Sequence, residues 1–161
     1  MLNVKANCES GICDLLLYLS NGTNMRSKAV ISLEAVQNIL DAARAEAERN
    51  QWAVTIAVVD DGGHPLGLLR LDGCAPIGAY IATEKGRTAA LGRRESANYE
   101  DMVNGGRSAF LSAPILTSLA GGVPVVIEGQ VVGAVGVSGV KPDQDVQVAK
   151  AGVLAVAAWA S

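Results

Sequence analysis

The segment that decides the fold is Gly121–Gly139, which reads GGVPVVIEGQVVGAVGVSG. Valine alternates with small residues on both sides of residues 128–130, and this alternation predicts two β-strands joined as a hairpin. Gly133, Gly136 and Gly139 have no side chain, so a ligand or another backbone can approach closely there. The pattern leaves two interpretations open, a packed helix or a bound ligand against the hairpin.

The size and composition of the chain limit what it can be. Its 161 residues are enough for one domain with a core, and 50% hydrophobic with 4% aromatic residues predicts a core of Val, Ala, Leu and Ile. The net charge of −3 argues against a nucleic-acid partner. No apolar run approaches the roughly 18 residues of a membrane span. Three cysteines without paired zinc spacing predict reduced thiols in the cytoplasm.

The beginning of the chain differs from the rest. Leu15–Leu19 is apolar but short, few positive charges precede it, and no small-residue cleavage site follows, so a signal peptide is not indicated. Met25 precedes a basic stretch and a helix start. We therefore predict an N-terminal extension over residues 1–24, which the core does not need, and one domain over residues 25–161.

The first half of the domain predicts a helix and a strand pair. Ser32 suits an N-cap, apolar residues then recur at helical spacing over 33–49, and Asn50 suits a left-handed residue that ends the helix. Strands are predicted over 53–59 and 65–71, and the short turn between them makes the pair antiparallel.

The middle and end of the chain predict three more helices. Pro76 suits the first turn of a helix that runs to about residue 94, on which Lys85 and Thr88 share a stripe. A short helix is expected within 99–109, and a short strand over 115–119. A final helix over 143–160 is apolar all round in its second half, so a neighbouring subunit is expected to cover it. Together, these helices and strands predict an α+β fold with about five antiparallel strands and helices on both faces of the sheet.

Few residues in the sequence are candidates for metal binding, ligand binding or catalysis. His64 is the single histidine, which excludes multi-histidine metal sites. It is either an exposed turn residue or a ligand of haem iron or another metal. Arg70 and Asp72 are expected on one face of a strand, where they pair or serve a ligand. Lys85 could pair with Asp72, with Asp145 or with a carboxylate ligand. Backbone amides that follow Ser138 could hold an anionic group.

Several motifs together resemble one family. They are Val58-Val59-Asp60-x-Gly62-Gly63, Arg70-Leu71-Asp72-Gly73, Lys85-x-x-Thr88-Ala89, Gly121-Gly122-Val123-Pro124, Gly133–Gly139 and Gln144-Asp145. Their order and spacing over about residues 28–160 resemble the GlcG/HbpS family of haem-binding or haem-degrading-like domains, which also form the C-terminal domain of PduO-type adenosyltransferases.

This resemblance implies a profilin-like α-β-α fold, homo-oligomers from dimer to octamer, and haem binding in some members. The positions it carries over as ligand-binding are Arg70, Lys85, Thr88, Gly121, Gly122, Pro124, Ser138, Gly139 and Gln144, besides Asp72 and Asp145. His64 is the candidate iron ligand, and Tyr80 or Tyr99 could serve as an oxygen ligand instead.

Three functions follow as hypotheses. The first is a binding module for haem or a related tetrapyrrole, with a possible role in haem degradation or sensing. The second is a catabolic enzyme for a small carboxylic or hydroxy acid, with Lys85 or Asp145 as the acid–base group and Arg70 as the carboxylate clamp. The third is a structural subunit without a ligand. Whether the chain is an enzyme is left open by the sequence.

Overall fold

The computed structural model of the chain describes residues 27–114 and 116–157. In chain order its elements are α1 (Leu33–Arg49), β1 (Thr55–Asp60), β2 (Pro65–Arg70), α2 (Ile77–Gly92), α3 (Ala97–Asn104), a 3₁₀ helix (Ser108–Ser112), β3 (Gly122–Ile127), β4 (Gln130–Ser138) and α4 (Pro142–Ala157). The predicted extension over residues 1–24 lies outside the described residues, and so does the end of the predicted final helix.

Helix α1 forms where the sequence predicts it. Ser32 is the N-cap, and its Oγ accepts a hydrogen bond from the backbone N–H of Ala35 at 3.1 Å. The left-handed residue is Gln51, with φ of 59°, and the prediction of Asn50 was wrong because Asn50 keeps φ of −94°. The Asn50 amide donates to the backbone carbonyl of Glu46 at 2.8 Å, which holds it in the last turn.

Within the described residues the sheet has four strands in the order β2-β1-β4-β3, and every neighbouring pair is antiparallel. The predicted strand pair β1–β2 and the predicted hairpin β3–β4 are both confirmed. Glu128 and Gly129 form the tip of the second hairpin with φ of 48° and 74°, which is the backbone of a type I′ turn. The two hairpins meet where β1 pairs with β4 in the centre of the sheet.

The prediction of about five strands was wrong by one strand. Residues 116–119 adopt no regular structure, and residue 115 lies outside the described part. The N–H groups of Thr117 and Ala120 and the carbonyl of Leu119 bond to side chains of the α2–α3 region, so they do not pair with a strand. Because these side chains satisfy the backbone, the segment needs no neighbouring strand.

Helices cover both faces of the sheet. One face carries Ile56 and Val58 of β1, which pack with α1 and α4 in the main hydrophobic core. The other face carries Val59 and Ala134, which pack against Ala89 and the rest of α2. Small residues of α2, among them Gly86 and Ala89, lie in this contact. None of the helices within the described ranges is long and apolar enough to cross a bilayer.

Candidate functional site

A buried ion pair joins two of the predicted site residues. The Nζ of Lys85 on α2 lies 2.7 Å from Oδ2 of Asp145 on α4, and the two side chains are 6% and 2% exposed. Because α2 and α4 lie on opposite faces of the sheet, the pair links the two outer layers. Of the partners that the sequence offered Lys85, the structure selects Asp145.

Burial dominates the electrostatics of this pair. Removal from water raises the pKa of the Asp145 carboxyl, and the Lys85 ammonium and the Val140 N–H, which lies 3.2 Å from Oδ1, offset this only in part. The ionised pair is therefore costly to bury and is held by the packing around it.

Two glycines make room for the pair and for α2. A Cβ on Gly121, which has φ of +123°, would lie 2.6 Å from the Val137 carbonyl oxygen and 2.9 Å from the Lys85 ammonium. A Cβ on Gly122 would lie 2.1 Å from the Lys85 carbonyl oxygen. Helix α2 thus fills the space that these glycines leave. Of the two interpretations of the glycine-rich segment, a packed helix or a bound ligand, this contact corresponds to the packed helix.

Segment 117–122 passes beside the pair at Gly121, and side chains hold the segment in place. Thr88 Oγ1 accepts a hydrogen bond from the Thr117 N–H at 2.8 Å. Ser96 Oγ donates to the Leu119 carbonyl at 2.6 Å and accepts from the Gly122 N–H at 2.8 Å. Thr88 was predicted as a ligand-binding residue, and in the structure its hydroxyl binds the backbone of Thr117.

Sequence reasoning missed two residues that hold this segment, Ser96 and Glu100. The carboxylate of Glu100 accepts a hydrogen bond from the Ala120 N–H at 2.6 Å. Their one signal in the sequence is polar side chains four positions apart at the start of a short helix, which is common on any solvated helix face.

The amides after Ser138 are already bonded within the chain. Gln144 Oε1 accepts from the Lys141 N–H at 3.2 Å, and Asp145 accepts from the Val140 N–H. Both groups belong to the start of α4, so the helix caps itself where an anion was predicted. Gly139 passes close to the backbone, since a Cβ there would lie 2.5 Å from the Ala53 carbonyl oxygen. Pro124 lies in β3 opposite Ala134.

His64 lies apart from this cluster, in the turn between β1 and β2. Its ring Nδ1 is 3.2 Å from both carboxylate oxygens of Asp60, and its side chain is 79% exposed. Asp60 also accepts hydrogen bonds from the N–H groups of Gly62 and His64, at 2.9 and 2.8 Å. Burial acts to raise the pKa of Asp60, but the bonds from His64 and Gly62 outweigh it and lower that pKa.

A carboxylate at Nδ1 settles which ring nitrogen of His64 is free. An ionised Asp60 accepts a hydrogen bond from Nδ1–H, and in this tautomer the lone pair is on Nε2. A metal-binding histidine is commonly oriented by a carboxylate in this way. The described residues contain no group of three or more His, Cys, Asp or Glu side chains that could hold a metal ion. His64 can therefore contribute one ligand but not a complete protein cage.

Exposed apolar side chains follow β2 and α2 from this turn toward the opposite end of the sheet, since Arg87 of α2 meets Gly63 whereas Gly78 approaches Thr55. Leu66 and Leu68 on β2, and Ile77 and Tyr80 on α2, form what we call the β2–α2 surface; Leu68 is 47% and Tyr80 77% exposed. Leu68 faces the α2 side of the sheet because it pairs with Ala57, and antiparallel partners share a face.

The two candidate tyrosines differ in access. Tyr80 is exposed on α2, whereas Tyr99 is buried with its ring packed edge-on against Phe110. Only Tyr80 can therefore reach a ligand at the surface.

Arg70 is exposed at the end of β2, opposite Thr55, at the rim of a separate cleft of about 430 Å³ between α1 and β2. Asp72 lines the same cleft, but it follows the end of β2, so strand alternation does not place it. A second groove, of about 300 Å³, lies between the start of α1 and the β3–β4 hairpin. The predicted site residues therefore fall into three places: the buried pair, the β1–β2 turn and the Arg70 cleft.

The fold and these residues define a class of small α+β domain, a four-stranded antiparallel sheet with helices on both faces and a buried lysine–aspartate pair. Comparison with known proteins supports this class of domain. The model of the HbpS-like family, described as haem degrading protein HbpS-like, matches residues 31–154. The chain belongs to the HbpS-like family.

Individual relatives support this assignment. Protein GlcG of Escherichia coli (strain K12) is 60% identical over 114 residues, which cover 71% of this chain and 85% of that protein. The crystal structure of HbpS is similar with a TM-score of 0.74 and 31% identity, over 81% of this chain and 93% of that one. The crystal structure of the PduOC–haem complex has a TM-score of 0.71 and 23% identity, over 79% and 95%, and shows the same fold.

Proposed function

We propose that this protein binds haem or a related tetrapyrrole, with His64 Nε2 as the axial ligand and Leu66 and Leu68 of the β2–α2 surface as the apolar wall. The observation that carries the proposal is the contact of His64 Nδ1 with the Asp60 carboxylate at 3.2 Å, which fixes the tautomer and leaves Nε2 free in an exposed position. The description of the family as haem-degrading and the haem in the PduOC crystal support the choice of ligand.

The donor set fits a tetrapyrrole better than a bare metal ion. A porphyrin supplies four nitrogen ligands itself, so the protein needs to add a single axial group, and bound haem contributes iron-centred ligand and redox chemistry. His64 is such a group. A bare ion would need further side chains, and the described residues bring no such cluster together.

The β2–α2 surface supplies the second requirement, apolar contact. Leu66 and Leu68 are exposed on the strand that follows His64. Most of the affinity for a flat apolar ring comes from burying such surface. Tyr80 is exposed near the start of α2, toward the other end of the sheet, and its phenol is the alternative oxygen ligand.

Asp60 acts through His64. Its carboxylate holds the imidazole in place and orients Nε2 toward solvent. Three hydrogen bonds in turn hold the carboxylate, from Gly62 N–H and from the backbone and ring of His64. The turn is therefore ordered before any ligand arrives, which lowers the entropy lost on binding.

We further propose that the protein is a homo-oligomer, between dimer and octamer, in the reducing cytoplasm. Exposed apolar residues such as Leu154 on α4 and Ile77 on α2 support subunit contacts. Cys74 carries a free thiol, as in a reducing compartment.

The acid–base alternative has less support. Lys85 and Asp145 are almost fully buried and paired with each other. A substrate could reach them only if the surrounding packing opened. Turnover is therefore not part of the proposal, and a structural subunit without a ligand is an outcome of the test below.

The test is a haemin titration of the purified protein, followed by absorbance. The wild type should give a saturable Soret shift. His64→Ala should weaken binding at least tenfold and move the Soret band, and Asp60→Asn should weaken it less. Asn98→Ala, an exposed change on α3, is the matched control and should bind like the wild type.

Two results would overturn the proposal. Adsorption of haemin without saturation would mean that this member binds no haem and would favour the structural subunit. Saturable binding that His64→Ala leaves unchanged would remove His64 as the ligand, and Tyr80→Phe would then test the phenol.

A further inference from the structure

The outer side of helix α2 presents a continuous line of side chains to solvent. The helix packs on the sheet through its small residues, and this packing leaves the opposite side of the helix free. On that side five residues follow one line, namely Ile77, Tyr80, Glu84, Arg87 and Leu91. We call them the α2 seam. Its three apolar members are all exposed, and Tyr80 is the most exposed of them at 77%.

The spacing in the seam is that of a helix-packing interface. Its members are separated by three, four, three and four residues, which is the alternation of a and d positions in a heptad repeat. Side chains at these separations share one face, so another helix can pack along the whole line. The exposure of the apolar members shows that the described part of the chain leaves this line open.

The centre of the seam holds two opposite charges in ordered positions. The guanidinium of Arg87 pairs with the carboxylate of Glu84, which lies one turn earlier on the helix. The Arg87 Nε also donates to the Gly63 carbonyl at 3.1 Å, which anchors this side chain to the β1–β2 turn. The Glu84 and Arg87 side chains are still 37% and 29% exposed. A helix that packs on the seam must therefore complement an acid followed by a base.

A second copy of the same helix meets this requirement when it runs in the opposite direction. About a two-fold axis, every contact between two different positions occurs twice. When Glu84 lies beside the partner's Arg87, both pairs of opposite charges are matched, and Tyr80 lies beside the partner's Leu91. An antiparallel register shifted by one heptad would instead press Ile77 against the partner's Arg87. That register is disfavoured because it desolvates a charge against an apolar side chain.

We propose that two copies of this protein pack through the α2 seam as an antiparallel pair of helices, with Glu84 beside the partner's Arg87 and Tyr80 beside the partner's Leu91. This inference rests on the homo-oligomer proposed above and names its contact surface. One helix of 16 residues buries less than the roughly 800 Å² per partner of a standard interface. We therefore expect a dimer that dissociates on dilution.

Sedimentation velocity at a series of protein concentrations tests the surface. We expect the wild type to shift from dimer to monomer as it is diluted. Tyr80→Glu and Leu91→Glu should each weaken self-association at least tenfold, because each places a carboxylate in the apolar contact. Leu111→Glu is the matched control. It adds the same charge at a leucine that is 68% exposed on the 3₁₀ helix, and it should associate like the wild type.

A pair of introduced cysteines tests the register. Tyr80 and Leu91 lie about 16 Å apart along one helix, at about 1.5 Å per residue, so these positions cannot form a disulfide within one chain. In the proposed dimer each position faces the other one on the partner. Tyr80→Cys/Leu91→Cys should therefore form a covalent dimer on mild oxidation, with a disulfide between positions 80 and 91 identified by peptide mass spectrometry. The wild type and the single variant Tyr80→Cys are the controls and should not form this linkage.

Three results would overturn the inference, and they differ in what they leave standing. A wild type that stays monomeric at the highest concentration would remove the homo-oligomer as well. Self-association that Tyr80→Glu and Leu91→Glu both leave unchanged would keep the oligomer but place its contact elsewhere. A double cysteine variant that associates without the linkage between positions 80 and 91 would exclude this register. Haemin titration of Leu91→Glu should match the wild type, which separates a failure here from a failure of the haem proposal.

Discussion

The two faces of the sheet are packed in different ways. Toward α1 and α4 the strands present branched side chains such as Ile56, Val58 and Val135, and the core there is filled by their volume. Toward α2 they present small residues, and the helix backbone comes close: a Cβ on Gly136 would lie 1.9 Å from the Ala82 carbonyl oxygen. The polar Thr55, Thr88 and Lys85 are also buried on or beside this α2 side.

This difference separates two sources of stability. The branched face depends on the amount of apolar surface removed from water, so swaps that conserve volume should cost little. The small-residue face depends on the distance between backbones, so a single added methyl group should be costly. The predictions below contrast the two faces, from the largest expected effect to the smallest.

Gly136→Ala should prevent stable folding. The added Cβ would lie 1.9 Å from the Ala82 carbonyl oxygen and 2.5 Å from the Gly86 nitrogen, and neither backbone atom can move without displacing α2. We expect a loss of more than about 4 kcal/mol in the free energy of unfolding, measured by urea denaturation. Gly129→Ala is the control, since no heavy atom lies within 4 Å of its Cβ. Its positive φ should cost only about 1–2 kcal/mol.

Lys85→Met should be the next most damaging change. It leaves the Asp145 carboxylate buried without its partner, which typically costs about 3–5 kcal/mol. The double variant Lys85→Met/Asp145→Leu should recover much of this loss because it removes both charges. Urea denaturation of the wild type, the single variant and the double variant measures the coupling. A double variant as unstable as the single one would show that the pair contributes more than charge balance.

The pair should also give stability a definite pH dependence. Because burial raises the pKa of Asp145 above its ordinary 3.8, the folded protein holds this proton more tightly than the unfolded chain. The free energy of unfolding of the wild type, relative to Asp145→Asn, should therefore fall as the pH rises from about 3.8 through the raised pKa. Denaturation at several pH values measures it, and a difference that increases with pH would contradict the assignment.

Neighbouring substitutions on β1 give the finest contrast between the faces. Ile56→Val removes one methylene group from the branched face and should cost about 0.5–1.5 kcal/mol. Ala57→Val adds two methyl groups opposite Gly136, on the α2 face, and should cost more, about 1–3 kcal/mol. Urea midpoints of the two variants decide this; equal costs would mean that α2 can move away from the sheet.

Much of the fold could be predicted because local signals carry it. The Ser32 cap, the alternation in β3 and β4, and the glycine at the hairpin tip each act within a few residues. The additional strand at 115–119 could not be rejected in this way. Its backbone is satisfied by Thr88, Ser96 and Glu100, and their positions depend on the tertiary structure.

The site was harder to predict, since its residues are shared among distant elements. The sequence singled out Lys85 and Asp145 as candidate polar residues, but their pairing depends on how α2 and α4 lie around the sheet. The sequence also singled out His64 but did not predict its contact with Asp60. A histidine in a turn can point toward the neighbouring carboxylate or into solvent, and the sequence does not distinguish the two. The cleft between α1 and β2 was not predicted at all.

The order of the strands has a consequence for how the chain folds. The two central strands, β1 and β4, belong to different hairpins, with α2, α3 and β3 between them in the chain. Each hairpin can form locally, but its central strand gains a second partner only when this long stretch closes on itself. Since contacts between distant residues slow folding, association of the two preformed hairpins should limit the rate. The β1–β4 register, not either turn, should then be the last part of the sheet to form.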